Sequence, residues 1–308
     1  MEIFEPLYSK KVLVLQKIAE ELLFVDVNER IPKIGELADK YQVGRGTIQT
    51  ALKNLDSVSC IKLDSRGHLG TFLRAKDISC LLKYAGTSRI IGVMPLPYSK
   101  KYEGLASGFN SEFEKLDLNL NIAFMRGAKL RLEGVKEGRY DFALVSKYSA
   151  LEAIKENKEL EIVLRFGTGT YVSKHAVIFA DVNNKEVKSG MKIGIDSFST
   201  DQKTLTMAET KDLDVDYVDL NYMHLLQHLK AKSIDAAIWN TDEIDLEMYH
   251  TSPLSSTLAK KEELQITEAV CVIRKNNKKL EYMLNLISIN QVIETQRKVE
   301  EGKRIPKY

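Results

Sequence analysis

The fold is decided by residues 31–73, which read IPKIGELADKYQVGRGTIQTALKNLDSVSCIKLDSRGHLGTFL. Apolar residues recur there at helical spacing in two segments, 34–41 and 47–55, which are joined by the tight turn Gln42-Val43-Gly44. We expect Gly44 to adopt a conformation that would strain a branched residue. Two short runs of β-forming residues then flank a loop that contains glycine. This order predicts a helix-turn-helix followed by a wing, and its second helix is of the kind that enters the major groove of DNA.

Motifs in this segment resemble those of the GntR family of bacterial transcription factors. Members carry a Leu-Pro pair before the first helix of the motif, a Glu-Leu-Ala step within it and a Gly-Thr-Phe ending on the wing. This chain has Ile31-Pro32, Glu36-Leu37-Ala38 and Gly70-Thr71-Phe72. An arginine that the family often places before Glu36 is Gly35 here, and the recognition-helix arginine is Gln49. The resemblance therefore implies the family's docking mode but not its base preference.

The predicted second helix presents side chains that can read and hold DNA. We expect Arg45, Thr47 and Gln49 to face the major groove, because arginine pairs with guanine and glutamine with adenine. Between residues 30 and 74, eight basic residues outnumber four acidic ones, as phosphate contact requires, although an ordinary solvated surface is the alternative. The predicted DNA-binding set is Lys33, Arg45, Gly46, Thr47, Gln49, Thr50, Lys53, Arg66, His68 and Gly70.

Length and composition indicate a cytoplasmic protein with packed cores. The chain has 308 residues and is 44% hydrophobic, which suggests about two domains. No apolar run approaches the roughly 20 residues that span a bilayer, and the N-terminus lacks the pattern of a signal peptide. The three cysteines, Cys60, Cys80 and Cys271, are expected to be small apolar core or boundary residues rather than a redox or metal site.

Periodicity divides the chain into three parts. We predict a winged helix-turn-helix DNA-binding domain at 1–75, a connector at 76–88 with helical spacing, and an effector-binding domain at 89–308. From residue 89 onward, strands alternate with helical runs, which predicts parallel βαβ units, and a long final helix is predicted at 278–301. Surplus apolar residues are expected to form a homodimer surface. They lie in the connector and the final helix: Ile78, Leu81, Leu82, Leu280, Leu284, Ile287 and Val292.

The order of elements after residue 89 resembles the type-2 periplasmic-binding-protein fold, which bacterial regulators reuse to sense effectors. A Gly-x-x-Asp-hydrophobic-Ala theme occurs at 138–143 and again at 233–238, where Ser233 replaces the glycine. The fold class is therefore predicted to be an α+β winged helix-turn-helix followed by an α/β two-lobed domain. Lobe 1 spans about 89–166 plus 255–308, and lobe 2 about 167–254. Together with the GntR-like segment, the whole chain resembles the YhfZ-type subgroup of regulators.

Polar and aromatic residues follow several of the predicted strands in the effector domain. Ligands of open α/β lobes bind beyond the carboxyl ends of strands and at helix N-termini, so we expect a polar or anionic small molecule there. Two alternatives stay open: Ser199 or Thr200 could merely cap a helix, and Trp239 could belong to the core. The predicted ligand-binding set is Tyr98, Arg126, Ser146, Lys147, Ser197, Ser199, Thr200, Trp239 and Asn240.

Catalytic and cofactor motifs are absent from the sequence, including the nucleophile elbow, the P-loop and the dinucleotide-binding fingerprint. His224 and His228 have a spacing that can bind zinc, but no Glu or Cys accompanies them, so we expect neither a metal nor a cofactor. The favoured hypothesis is a non-enzymatic, ligand-responsive regulator that binds double-stranded operator DNA as a homodimer and has no membrane partner. The alternatives are a small-molecule enzyme on the same fold and a constitutive DNA-bound scaffold.

Overall fold

The structure is a computed structural model that describes residues 9–87, 89–243 and 249–308. Residues 1–8 of the predicted DNA-binding domain, Ser88 of the predicted connector and 244–248 of predicted lobe 2 lie outside the described residues. The chain divides into two compact units. The first unit comprises residues 1–90 and 113–119, and the second comprises 91–112 and 120–308. Among the described helices, none has the length and apolarity that a bilayer-spanning segment needs.

The first unit is mainly helical and carries one hairpin. In sequence, α1 precedes the predicted helix-turn-helix and hairpin, and α4 follows them. The two strands of the hairpin pair antiparallel on either side of a short 3-10 turn. Helix α1 packs against both α3 and α4. The elements are α1 (Lys10–Leu23), α2 (Ile34–Tyr41), α3 (Arg45–Ser57), β1 (Ile61–Ser65), β2 (Thr71–Lys76) and α4 (Ile78–Tyr84).

The turn between α2 and α3 differs in detail from the prediction. Gln42, not Gly44, has the left-handed backbone, with φ of 52°. It closes the C-terminus of α2, where its N–H bonds to the carbonyls of Ala38 and Asp39. Gly44 is an extended N-cap with φ of −67°, and a Cβ there would meet no atom within 4 Å. The turn therefore does not require glycine at position 44.

Two of the cysteines are not simple core residues, which corrects the prediction. Cys60 and Cys80 form a disulfide, with their Cα atoms 5.3 Å apart. They are 20 residues apart in sequence, and the β1–β2 hairpin brings them together by returning the chain from the end of α3 to α4. Cys271 is free and buried, as a small apolar core residue would be.

The first of two five-stranded sheets lies mainly in the second unit. Its strand order is β4-β3-β5-β12-β6. The strands are β3 (Arg89–Met94), β4 (Asn119–Phe124), β5 (Phe142–Ser146), β6 (Leu160–Arg165) and β12 (Ala269–Arg274). The accompanying helices are α5 (Lys100–Lys115), α6 (Ala128–Lys136) and α7 (Lys147–Glu156). Aliphatic side chains of α6 pack against those of β5 and β12 and form a core on one face of this sheet.

A second five-stranded sheet lies within the same unit, in the order β11-β7-β10-β8-β9. Its strands are β7 (His175–Phe179), β8 (Lys192–Ile195), β9 (Asp216–Asp219), β10 (Ala236–Asn240) and β11 (His250–Pro253). The helices that follow its strands are α8 (Thr200–Glu209), α9 (Leu225–Lys230) and α10 (Thr257–Ile266). The chain ends with α11 (Lys278–Asn285) and α12 (Ile289–Glu300).

Both sheets are mixed. They contain the parallel pairs that βαβ units predict, β3 with β5 and β8 with β9, and antiparallel strands in addition. Strand β12 pairs antiparallel with both β5 and β6, and β7 pairs antiparallel with β10 and β11. The alternation of strands and helices predicts parallel pairing between strands of successive βαβ units. It does not predict that β12, about 100 residues downstream of β6, lies between β5 and β6 in the sheet.

The predicted final helix is broken into α11 and α12. Ser288 interrupts it because its hydroxyl accepts a hydrogen bond from the N–H of Gln291 and caps α12. The backbone N–H of Ser288 in turn donates to Glu112 on α5 over 2.9 Å. The predicted dimer surface is also corrected: except for Ile78, the apolar residues assigned to it are buried within the chain itself.

Candidate DNA-binding and ligand-binding sites

Helix α3 has one buried and one exposed face. Ile48, Leu52 and Leu55 pack inward, and the polar positions between them face solvent. Arg45, Gly46, Gln49, Thr50 and Lys53 are exposed, and Thr47 is half-buried. No acidic residue lies in the first turn of this helix, so the positive end of its dipole is not neutralised there.

Helix α3 carries two exposed cations, Arg45 and Lys53. Within the part of the chain that the structure describes, neither Arg45 nor Lys53 forms an ion pair, whereas Lys33 pairs with Glu36 at 3.6 Å. A Cβ at Gly35 would lie 3.6 Å from Nη2 of Arg45, so the Arg45 side chain reaches back over α2. Thr50 donates its hydroxyl to the carbonyl of Gly46 over 2.8 Å.

The hairpin carries a second basic group. Arg66 and Arg74 both donate to Asp64, each over 2.9 Å, and both guanidinium groups lie over the ring of Phe72. Arg66 and His68 are exposed at the hairpin loop. Gly70 has φ of 93° in the same loop, a backbone conformation that favours glycine.

An open cavity lies in the second unit, next to the carboxyl ends of strands from both sheets. Its wall contains the segments that follow β3 and β4, the start of α6 and the N-terminus of α8. The polar and aromatic side chains of its lining are Tyr98, Tyr102, Arg126, Arg131, Tyr171, His175, Ser199, Thr200, Asp201, Gln202, Tyr222 and Asn240.

Arg131 is a buried cation in this wall, with only 3% of its surface exposed. Its Nη1 donates to the carbonyl of Met125 over 2.6 Å, and its Nη2 donates to the hydroxyl of Tyr171 over 2.9 Å. Its Nε is also buried and finds no hydrogen-bond partner among the described residues. Burial raises the pKa of Tyr171 to about 12, and the charge of Arg131 works against that rise. The wall of the cavity thus holds a positive charge in a fixed position.

Asp201 supplies a carboxylate to the same wall. Its Oδ1 accepts hydrogen bonds from the hydroxyls of Ser146 and Ser149, over 2.7 and 2.8 Å. Among the described residues, no hydrogen bond engages its Oδ2. Burial raises the pKa of Asp201, and the two serine hydroxyls and the charges of His175 and Arg131 lower it in part.

We call each sheet of the second unit, together with its helices, one half of that unit. Asp201 links the two halves, because it belongs to α8, which follows β8 of the second sheet, whereas both serines lie at the start of α7, which follows β5 of the first sheet. A second link runs from Arg126 to Asp196, at 3.1 Å. Asp196 is only 1% exposed and also accepts the backbone N–H of Tyr222 over 2.8 Å. Segments at the strand ends of the first sheet are therefore linked by hydrogen bonds and an ion pair to segments at the strand ends of the second sheet, beside the cavity.

The structure gathers only part of the predicted ligand-binding set in this cavity. Five of those residues line it: Tyr98, Arg126, Ser199, Thr200 and Asn240. Ser199 is also the N-cap of α8, where its hydroxyl accepts from the N–H of Gln202. The sequence did not single out Arg131 or Asp201. Arg131 falls on the stripe formed by Ala128, Leu132 and Val135, so a charged residue on an apolar helix face is the signal that could have revealed it.

The remaining four residues of the predicted set do not line the cavity. Ser146 is buried against Asp201, and Lys147 pairs with Glu268 at 2.8 Å. Ser197 donates its backbone N–H to Asp219 over 3.2 Å. Trp239 is 4% exposed and stacks on Tyr222, with ring centroids 4.1 Å apart, and Tyr222 is the one of the two that lines the cavity.

Metal ligands are not clustered in the described ranges, where no group of three or more His, Cys, Asp and Glu side chains could hold an ion. His228 contacts the hydroxyl of Ser233 through Nδ1 at 2.8 Å. That contact uses one of the two ring nitrogens that zinc could take.

Known proteins that resemble each part of the chain indicate the class to which that part belongs. Residues 27–73 match a helix-turn-helix domain family, which confirms this part of the prediction and indicates a DNA-binding regulator. The rest of the chain has the periplasmic-binding-protein-like fold. It is similar to the substrate binding protein of a methionine transporter from Streptococcus pneumoniae, with a TM-score of 0.51 and 11% identity over 72% of this chain and 96% of that chain. At this identity the similarity shows the fold alone.

The chain belongs to the YhfZ family. Residues 77–308 match the YhfZ C-terminal domain. The chain is 33% identical to the uncharacterized protein YhfZ of Escherichia coli (strain K12) over 304 residues, which are 97% of this chain and 98% of that protein. It is also similar to the crystal structure of YhfZ from Shigella flexneri, with a TM-score of 0.63 and 34% identity over 75% of this chain and 97% of that chain.

Proposed function

We propose that this protein is a transcriptional regulator whose affinity for operator DNA is set by a small polar or anionic molecule bound in the second unit. The observation that carries the proposal is the buried guanidinium of Arg131 in the wall of a cavity, where its hydrogen bonds go to the neutral groups of Met125 and Tyr171. A buried charge is unfavourable unless an opposite charge pairs with it. A ligand that brings an anionic group to this wall would supply that charge.

The first unit is proposed to bind DNA as a GntR-like winged helix. In this mode α3 lies in the major groove, where Arg45 and Gln49 can contact base edges. The hairpin acts as the wing and brings Arg66 and His68 to the sugar-phosphate backbone of the DNA. Lys33 and Lys53 contact flanking phosphates. The unpaired state of Arg45 and Lys53 supports this assignment, because each charge is available to DNA without breaking an ion pair.

The ligand is proposed to have a carboxylate or a similar anionic group that meets Arg131. The aromatic rings of Tyr98 and Tyr222 supply apolar contact area, as is typical of small-molecule sites. The free Oδ2 of Asp201 can accept a donor from the same ligand. No catalytic role is proposed for these groups.

Regulation is proposed to follow from the links between the two halves of the second unit, which we take to be the two lobes of the fold. A ligand that touches both lobes favours the arrangement to which it binds more tightly. Its effect on DNA affinity is then a coupling free energy, typically about 1–3 kcal/mol. A homodimer is part of the proposal, because such regulators read two half-sites.

The proposal is tested by selecting duplexes from a random-sequence pool with the full-length protein. Enrichment of a two-fold symmetric site is expected, since a dimer presents its recognition helices symmetrically. A pool that yields no preferred sequence in several rounds would contradict sequence-specific DNA binding. Light scattering at micromolar concentration tests the dimer separately, and a monomer with and without the selected duplex would contradict it.

A further inference from the structure

The disulfide in the first unit connects elements that the proposed DNA contacts depend on. Cys60 directly precedes β1 and follows α3, whereas Cys80 lies in the first turn of α4. The bond therefore closes a loop that contains the whole β1–β2 hairpin, including the exposed Arg66 and His68.

Hydrogen bonds hold the two cysteines together without the help of their sulfurs. The carbonyl of Cys60 accepts the N–H of Asp77 over 2.8 Å, and Oδ1 of Asp77 accepts the N–H of Cys80 over 3.0 Å. The N–H of Cys60 donates to the carbonyl of Leu55 over 2.9 Å. Because these bonds involve only backbone groups and Asp77, two reduced thiols would stay within reach of one another, and the disulfide could form and break without refolding.

The two cysteine residues differ in their exposure to solvent. Cys60 is fully buried, whereas Cys80 is half-buried, so an oxidant reaches Cys80 first and Cys60 serves as the resolving thiol. Cys271 is the natural control: it is buried in β12, and burial raises the pKa of its thiol, which keeps it in the unreactive protonated form.

We propose that Cys60 and Cys80 form a reversible redox site that responds to peroxide. The thiolate of Cys80 attacks one oxygen of hydrogen peroxide, the O–O bond breaks, and the products are a sulfenic acid and hydroxide, which takes up the thiol proton as water. The thiol of Cys60 then attacks the sulfenic sulfur, which forms the disulfide and releases a second water. Overall, two thiols are oxidised and one peroxide is reduced to two waters, and a dithiol reverses the change by exchange.

Oxidation is expected to change DNA affinity, a consequence that rests on the proposed function of the first unit. The disulfide fixes the hairpin and α4 to the end of α3, so the oxidised protein loses less conformational freedom when it binds. Preorganisation of this kind raises affinity, and we expect the oxidised form to bind about three- to tenfold more tightly.

The redox site is tested by counting thiols in the full-length protein with a chromogenic disulfide reagent in denaturant, before and after peroxide. The chain has three cysteines. The count should therefore fall from three to one, return to three when dithiothreitol is added to the native protein, and leave a monomer on a non-reducing gel. The Cys271→Ser variant should fall from two to none, whereas Cys80→Ser should keep both thiols. A wild-type count that stays at three, or that dithiothreitol cannot restore, would overturn the site.

The effect on DNA is tested with a duplex enriched from a random pool, bound to the oxidised and reduced forms of the wild type and of Cys80→Ser. The wild-type affinity should differ several-fold between the two forms, and the Cys80→Ser affinity should not. Equal wild-type affinities would overturn the regulatory role. If neither form enriches any duplex, the proposed DNA function fails, while the thiol count still decides whether the redox site exists.

Discussion

Arg131 donates a hydrogen bond from Nη2 to the hydroxyl of Tyr171 over 2.9 Å, and both side chains are buried. Arg131 lies on α6, and Tyr171 lies in the chain between β6 and β7. The pair therefore fixes a positive charge in the cavity wall. No acidic side chain pairs directly with Arg131 in the part of the chain that the structure describes. The charge is thus held in position by neutral groups, and the proposed binding of an anionic ligand depends on this arrangement.

Replacing Arg131 should destabilise the protein as well as remove the proposed ligand contact. Arg131→Gln would leave the Tyr171 hydroxyl and the Met125 carbonyl without a donor, which should lower the free energy of unfolding by about 1–3 kcal/mol. The matched control is Arg139→Gln, since Arg139 is exposed and pairs with Glu137, and surface changes are usually within about 0.5 kcal/mol. Urea denaturation measures both, and equal losses would show that Arg131 is not held as described.

Asp201 should make stability depend on pH. Its folded pKa is raised, so the folded state binds the proton more tightly than the unfolded chain does. The stabilisation from Asp201 is full below its ordinary pKa of 3.8 and is lost as pH rises through the folded value. Asp201→Asn keeps an acceptor for Ser146 and Ser149 but cannot ionise, so the variant should gain stability relative to the wild type as pH rises. Urea denaturation from pH 4 to 7 should show this trend, and a constant difference would refute it.

Specific DNA binding should depend on Arg45. The side chain is exposed, so Arg45→Ala should leave the thermal transition unchanged while removing about 1–3 kcal/mol of discrimination between sites. Lys62→Ala is the matched control, because Lys62 is an exposed cation of β1 outside the predicted contacts. Because Lys62 makes no predicted contact with DNA, this variant should keep the wild-type preference between duplexes and nearly the wild-type affinity. An unchanged footprint for Arg45→Ala would remove α3 from the interface.

Close packing of α5 against α12 should make Gly108 sensitive to substitution. A Cβ at Gly108 would lie 2.8 Å from the carbonyl oxygen of Val292, a backbone atom that cannot move aside cheaply. Gly108→Ala should therefore cost about 1–3 kcal/mol of stability, as overpacking usually does. Gly46→Ala is the contrasting variant: Gly46 is helical and has open space around it, so alanine should add up to about 1 kcal/mol through helix propensity. A stable Gly108→Ala protein would mean that these helices are farther apart.

The helix-turn-helix could be predicted because its signals are local. The apolar spacing of α2 and α3 and the short hairpin lie within some 40 residues, so tertiary context changes only details such as the residue that takes the left-handed turn. The cavity is different. The pattern predicts that Tyr98 and Asn240 lie near strand ends, but the direction of each side chain depends on partners that are distant in sequence. Lys147 pairs with Glu268, Trp239 stacks on Tyr222, and the buried Arg131 bonds to Tyr171.

The most direct test of the central claim is a titration of small carboxylates and amino acids, followed by Trp239 fluorescence and by the affinity for a selected duplex. Trp239 is the single tryptophan and stacks on a residue of the cavity lining, so it should report binding. We expect at least one compound to give a saturable change and to shift DNA affinity in the wild type and in Lys147→Ala, but not in Arg131→Gln. A compound that saturates the fluorescence signal equally in Arg131→Gln, or that binds without changing DNA affinity, would contradict the account.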